Sequence, residues 1–138
     1  MADAARSAIL PYFRQAGLQS ENKLDGGFDP VTEADRAAER AMRAILSEDR
    51  PTDAVLGEEY GHSDGTSGLT WVLDPIDGTR GFDSGTPTWG VLIAVADATG
   101  PFYGLIDQPY IGERFVGSAG GATLTGPLGT SALTTRDT

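Results

Sequence analysis

The 138-residue sequence has no cysteine, which excludes disulfides, thiolate nucleophiles and cysteine-ligated zinc sites. It is also poor in basic residues, since 10 Lys and Arg stand against 20 Asp and Glu and give a formal net charge of −10. Nucleic acids and anionic membranes attract clustered Lys and Arg, so neither is expected as the main partner. No apolar run approaches the ~20 residues of a membrane-spanning helix, and no signal peptide is recognisable. A cytoplasmic location is therefore expected.

The sequence predicts one folded domain that begins with two helices. The apolar spacing over residues 2–16 predicts a helix with one buried face, kinked at Pro11 and ended by Gly17. A second helix is predicted from an N-cap at Thr32 to about Ser47, because acidic residues in its first turn suit the helix dipole.

The second helix is expected to present one apolar stripe to the core. The residues of that stripe are Ala34, Ala38, Ala41, Met42 and Ile45. On the outer side of the helix, Glu39 and Arg43 are four residues apart and are expected to form an ion pair.

The rest of the chain predicts a sheet. Apolar runs bounded by turn residues predict strands at 54–59, up to residue 73, and at 88–97, 102–108, 113–117 and 122–125. These strands are too close in sequence to be joined by helices, so an antiparallel meander is expected. Two helices followed by a sheet make an α+β layered fold over residues 1–138, with the polar tail 128–138 expected to be loose.

The most informative stretch spans residues 71–80 and reads WVLDPIDGTR. An apolar strand end is followed by Asp74 and Asp77, and Pro75 between them is expected to end the strand because it has no N–H. Acidic side chains, a free carbonyl and a hydroxyl that converge at a strand end are what a hard divalent cation needs. Gly78 permits close approach to the backbone. The stretch therefore predicts the metal-holding wall of a phosphatase site.

Other acidic residues could complete such a site, although each has an ordinary alternative. Glu58 and Glu59 could be a solvated pair, and Asp35 a first-turn helix acid. However, charges at the ends of apolar strands are costly to half-bury, and clustered carboxylates repel each other unless a cation neutralises them. Thr79 could orient a water if a carboxylate such as Asp35 polarises its hydroxyl. The N–H groups of Gly78 and Thr79 could bind phosphate, especially if a helix starts there.

Three stretches together resemble the inositol monophosphatase superfamily of Mg²⁺-dependent, lithium-sensitive phosphatases. They are 29–35 (DPVTEAD), 57–59 (GEE) and 71–79 (WVLDPIDGT), and they occur in the order and at separations typical of the family. The resemblance implies that the chain is the N-terminal half of a layered αβαβα sandwich. It also implies two or three Mg²⁺ ions in the complete enzyme, with inhibition by Li⁺.

The resemblance further implies roles for individual residues. The implied metal ligands are Glu58, Asp74, the Ile76 carbonyl and Asp77. Thr79, paired with Asp35, would orient the nucleophilic water, and Gly78 would contact phosphate together with Thr79. Glu59 resembles an acid that supports the metals from nearby. Lys23 matches only loosely a loop that the family closes over a third metal.

Within the superfamily, residues 28–39, 77–82 and 106–114 resemble the histidinol-phosphate phosphatase branch. That resemblance implies hydrolysis of a small phosphomonoester, L-histidinol phosphate, to L-histidinol and phosphate in histidine biosynthesis. An alternative substrate is inositol monophosphate or a nucleotide bisphosphate. A further alternative, from another class, is a non-catalytic interaction module.

The chain departs from the family pattern in its length. Family chains continue for about as long again and supply a Trp-Asp motif that completes the second metal site. Here Trp71 and Trp89 are followed by Val and Gly. The chain is therefore expected to be the N-terminal half of an enzyme, weakly active or inactive alone, whose complete form is a homodimer.

Overall fold

A computed structural model of the protein describes residues 1–15 and 30–136. The helices are α1 (Ala2–Ile9), followed directly by a 3₁₀ turn (Leu10–Tyr12), α2 (Pro30–Asp49) and the short α3 (Thr79–Asp83). The strands are β1 (Ala54–Gly57), β2 (Gly61–Ser63), β3 (Thr70–Asp77), β4 (Gly90–Asp97), β5 (Gly100–Gln108), β6 (Glu113–Ser118), β7 (Gly121–Gly126) and β8 (Gly129–Leu133). None of the helices in these described ranges is long and apolar enough to cross a membrane.

All eight strands form one sheet in the order β2-β1-β3-β4-β5-β6-β7-β8. From β3 to β8 each strand pairs with its sequence neighbour in antiparallel fashion, so the predicted meander and the α+β class are confirmed. The exception is β1, which pairs antiparallel with β2 and parallel with β3. The short β2 was not predicted, and through it the chain leaves β1 and returns to run beside it in the same direction.

The tail predicted to be loose contains β8, which pairs with β7 from Ala122↔Leu133 to Gly126↔Gly129. This expectation was wrong because it relied on apolar side chains as the signal for a strand. Every residue of β8 is exposed, so the strand is held by its backbone ladder and leaves no apolar pattern in the sequence.

The first helix is shorter than predicted. It ends at Ile9, and Pro11 lies in the following 3₁₀ turn, since proline has no N–H for the α-helical bond. The predicted stop at Gly17 and the loop with Lys23 lie outside the described residues. The second helix begins at Pro30, so Thr32 lies inside it and is not its N-cap. Proline suits a first helical position, where an N–H would lack a partner.

The core lies between one face of the sheet and the helices, with α1 packed on α2 and β4, and α2 packed on β3. Its larger buried side chains are Ile9, Met42, Leu46, Val55, Leu73, Ile76, Phe82, Trp89, Val91, Ile93 and Val95. Of the predicted stripe on α2, Ala41 and Ile45 are only partly buried. On the opposite face of the sheet Val72, predicted to be buried, is 36% exposed because it alternates with Leu73.

Candidate active site

The site is built where β1 ends beside the last residues of β3. The two strands are parallel, with Gly57 opposite Leu73, so their carboxyl ends lie at the same edge of the sheet. The N–H of Glu58 donates to the carbonyl of Leu73 at 3.2 Å, which extends this alignment by one residue. Glu58, directly after β1, therefore lies beside Asp74 near the end of β3, as the sequence predicted.

Strand β3 does not end at Pro75, contrary to expectation. It continues to Asp77, with a register shift against β4 between Asp74, which pairs with Leu92, and Asp77, which pairs with Gly90. Two residues of β3 lie within this bulge against one of β4, and one of them is a proline that cannot donate to the ladder. Bulges redirect side chains at strand ends, and here Asp77 emerges exposed beyond buried Pro75.

Glycine is required at position 78 for two reasons. Gly78 has φ 90° and ψ 41°, a left-handed conformation, and a Cβ at this position would lie 2.6 Å from the carbonyl oxygen of Thr88. The turn leads directly into α3, so a helix does start at Thr79. The first N–H groups of a helix generally have no intrahelical acceptor, although here that of Gly81 donates to the Gly78 carbonyl at 2.8 Å. Phe82 anchors α3, with its ring centroid 5.0 Å from that of Trp89.

Helix α2 brings Asp35 beneath these strand ends, where the residue is only 5% exposed. Burial, followed by the negative charges of Glu59, Glu58 and Asp74, raises the pKa of Asp35 to about 8. The N–H of Ile76 acts in the opposite direction and lowers it in part. These interactions show that the structure gathers four of the predicted acidic residues into one electrostatically linked group.

Asp74 is the centre of that group. Burial, then its contact with Glu58 and the charge of Asp77, raise the pKa of Asp74 to about 7. Its Oδ1 atom is buried and has no hydrogen-bond partner among the described residues. A buried carboxylate oxygen without a donor needs a proton or a cation nearby.

The donor chemistry fits Mg²⁺, because hard divalent cations bind carboxylate and backbone carbonyl oxygens. Within residues 1–15 and 30–136, however, no three acidic or histidine side chains are already grouped closely enough to hold an ion. The raised pKa values of Asp35 and Asp74 reflect burial first and the neighbouring acidic residues second. The fit therefore rests on the types of ligand atom and on the unpartnered Asp74 oxygen, and the Ile76 carbonyl as a ligand stays a prediction.

One residue beside this site was not predicted from the sequence. Glu39 was expected on the outer side of α2, yet it is fully buried. Its predicted ion pair with Arg43 exists, at 2.7 Å, but the pair faces the turn after β1. The spacing could have shown this, since Glu39 follows Asp35 by four residues and is adjacent to buried Ala38.

The sequence as a whole matches the profile of the Inositol monophosphatase family over residues 1–137. The chain belongs to the inositol monophosphatase family. The expected superfamily is thereby confirmed.

Individual family relatives agree with this assignment. The chain is 42% identical over 136 residues to a histidinol-phosphatase of Streptomyces coelicolor, covering 96% of this chain and 50% of that protein. It is 38% identical over 141 residues to an inositol-1-monophosphatase of Rhizobium meliloti, with 87% and 51% covered. The fold is similar to the structure of an inositol monophosphatase from Zymomonas mobilis, with a TM-score of 0.83, 40% identity, and 99% and 50% covered. The chain thus spans about half the length of these relatives.

The contacts of the described residues do not test two predicted roles, the pairing of Thr79 with Asp35 and the support of the metals by Glu59. The described residues contain no hydrogen bond between Thr79 and Asp35, so their pairing stays a prediction. Glu59 receives a hydrogen bond from Arg36 Nε at 3.3 Å, which ties it to α2. The supporting role of Glu59 stays a prediction, like the pairing of Thr79 with Asp35.

Proposed function

We propose that this chain forms the metal-holding part of a Mg²⁺-dependent phosphomonoesterase. The observation that carries the proposal is the convergence of Asp35, Glu58 and Asp74 at the paired ends of β1 and β3, with a buried Asp74 oxygen that lacks a partner. Like charges at this spacing are unfavourable without a cation, and phosphoryl transfer is a reaction that divalent cations at carboxylate sites promote.

In the proposed site, Glu58, Asp74, Asp77 and the Ile76 carbonyl would hold the metal. When bound, Mg²⁺ would neutralise the negative charge of the phosphoryl group and activate water. The N–H groups at the start of α3, with that of Gly78, would bind phosphate oxygens. The exposed Thr79 hydroxyl would orient the water that attacks phosphorus.

The proposed substrate is L-histidinol phosphate, whose hydrolysis is a step in histidine biosynthesis. The support is the higher identity to a histidinol-phosphatase, 42%, than to an inositol-1-monophosphatase, 38%, a small difference. The stretch 106–114, which resembles the histidinol-phosphate phosphatase branch, has structural contacts: Asp107 is fully buried and pairs with Arg6 and Arg114. Asp107 in that stretch therefore has a structural role.

A substrate panel tests this proposal on the full-length protein. Phosphate release is measured with L-histidinol phosphate, inositol 1-phosphate and a nucleotide bisphosphate, each with Mg²⁺ and with chelator. The expected result is the highest kcat/KM for L-histidinol phosphate and no turnover with chelator. A higher kcat/KM for inositol 1-phosphate would replace the substrate, and metal-independent turnover would refute the mechanism. A cytoplasmic, homodimeric enzyme remains the expected form.

The alternative of a non-catalytic interaction module has one observation in its favour. The sheet face away from the helices exposes apolar side chains, with Leu56 45%, Val72 36% and Ile106 50% exposed. Exposed apolar faces of this kind mark interfaces. Self-association of the full-length protein without measurable Mg²⁺ binding would favour the module over the enzyme.

A further inference from the structure

The buried Glu39 carboxylate makes a set of contacts that end at one turn. It accepts hydrogen bonds from the N–H of Glu59 at 2.7 Å and of Tyr60 at 3.3 Å. Arg43 Nε donates to Oε1, the oxygen that also accepts from the Tyr60 N–H, at 2.7 Å. A carboxylate buried in a protein interior is destabilising unless it is paired and hydrogen-bonded, and here both oxygens have donors.

Gly57 provides the space for this carboxylate. A Cβ at Gly57 would lie 1.9 Å from Glu39 Oε1 and 2.3 Å from its Cδ. The φ angle of Gly57 is not in the left-handed region, so its backbone conformation does not require glycine. The glycine of the 57–59 motif is therefore explained by the volume that Glu39 occupies.

Arg43 extends the contact to the β1–β2 hairpin. Its Nη1 donates to Ser63 Oγ at 2.9 Å, and its Nη2 donates to the carbonyl of Gly61. Glu39 and Arg43 together thus bind the turn from its first residues to β2. We refer to Glu39, Arg43, Gly57 and the amides of Glu59 and Tyr60 as the Glu39 clamp.

The clamp bears directly on Glu58. The peptide before Glu58 is held by the bond from its N–H to the Leu73 carbonyl, and the peptide after it by the bond from the Glu59 N–H to Glu39. Both peptide groups that flank Glu58 are therefore restrained, which limits the directions open to its side chain.

We infer that Glu39 is a positioning residue, which through the Glu39 clamp directs the Glu58 carboxylate toward Asp74. The inference rests on the proposed function in one respect, namely that Glu58 is a metal ligand. In the proposed site Glu39 does not bind the metal but acts through Glu58. It takes part in no step of the reaction. Residues that orient metal ligands typically affect metal affinity about 10–100-fold when they are changed.

Two variants of the full-length protein test the inference. Glu39→Gln keeps the shape of the side chain but removes the charge that the two amides and Arg43 share. Gly57→Ala leaves Glu39 chemically intact and displaces its carboxylate by the added Cβ. Glu48→Gln, an exposed acid on the same helix, is the matched control. Mg²⁺ affinity is measured by calorimetry, and amide hydrogen exchange at Glu59 and Tyr60 by NMR.

Both variants are expected to weaken Mg²⁺ binding about tenfold or more, and to speed exchange at the two amides about tenfold or more. The control is expected to match the wild type in both measurements. Faster exchange with unchanged Mg²⁺ affinity would overturn the positioning role, and unchanged exchange would overturn the clamp itself. A wild-type protein without Mg²⁺ affinity would refute the proposed function instead, and exchange that depends on Glu39 would then still support the restrained turn.

Discussion

The N–H of Glu58 donates to the carbonyl of Leu73 across the parallel pair β1 and β3. This bond joins two residues 15 positions apart in sequence, at the place where β1 ends and β3 continues toward Asp77. It places the acid that follows β1 beside the acid that follows Leu73. The candidate site therefore depends on the pairing of β1 with β3, which brings Glu58 beside Asp74.

Asp77→Asn in the full-length protein is expected to weaken Mg²⁺ binding and nearly abolish turnover. The substitution removes one ligand charge from the octahedral oxygen environment that Mg²⁺ requires. Initial rates measured across a Mg²⁺ titration check this, with Asp64→Asn, an exposed loop acid, as control. Wild-type activity of Asp77→Asn at limiting Mg²⁺ would contradict the assignment of Asp77 as a metal ligand.

Thr79→Ala is expected to slow the chemical step about 100-fold while Mg²⁺ affinity stays near that of the wild type, because a water-orienting hydroxyl acts as a catalytic group. Thr79→Ser keeps the hydroxyl and is expected to restore most of the rate. Single-turnover rates and Mg²⁺ calorimetry separate the two effects. If only Mg²⁺ affinity falls in Thr79→Ala, the residue is a structural support.

The stability of the metal-free protein is expected to fall as pH rises from about 4 to about 8. The pKa values of Asp35, about 8, and Asp74, about 7, are raised above the ordinary 3.8. Between these values the unfolded state binds fewer protons than the native state, so each group contributes a slope of up to about −1.4 kcal/mol per pH unit. The stabilisation from each carboxyl is fully present at pH values below its pKa in the unfolded state. It is lost as pH rises through its pKa in the folded state.

Thermal unfolding with chelator at pH 5, 6, 7 and 8 checks this, and Asp35→Asn should flatten the profile. Asp53 does not interfere, since hydrogen bonds from Ser67 and Trp71 lower its pKa to about 2 and its stabilisation is lost only as pH falls below about 4. A melting temperature that rises from pH 5 to pH 8 would contradict the raised pKa of Asp35.

Mg²⁺ binding is expected to release protons at pH 6 and not at pH 9. A carboxyl whose pKa is about 7, as at Asp74, is mostly protonated at pH 6 and must ionise to act as a ligand. Calorimetry in buffers of different ionisation enthalpy measures the number released, about one per bound ion. Equal release at both pH values would show that a group other than Asp74 supplies the proton.

Asp107→Asn is expected to destabilise the fold without altering metal binding. Asp107 is fully buried and accepts from Arg6 Nη2 at 2.9 Å and from Arg114 Nε at 2.8 Å. Removing one partner of a buried ion pair typically costs about 3–5 kcal/mol, and the partial exposure of both arginines places the loss at the lower end.

Chemical denaturation checks the loss of stability, and Mg²⁺ calorimetry below the unfolding transition checks that the site is intact. Asp97→Asn, at the exposed end of β4, is the control. A loss of Mg²⁺ affinity in folded Asp107→Asn would mean that the stretch 106–114 contributes to the site after all.

The sequence by itself determined the α+β class, the main strands and the acidic residues at strand ends. These features are local, because alternation of apolar residues, turn residues and the DPIDGT stretch act over a few positions. Gly78 is an example, since a left-handed turn before α3 requires glycine whatever packs around it.

The tertiary structure decided which elements meet. The parallel pairing of β1 with β3 depends on the unpredicted β2, and β8 is held by backbone bonds that carry no apolar signal. Glu39 resembles an ordinary surface acid on a helix. Only packing of α2 against the turn after β1 makes its burial favourable, because donors from Arg43 and two backbone amides compensate the loss of water.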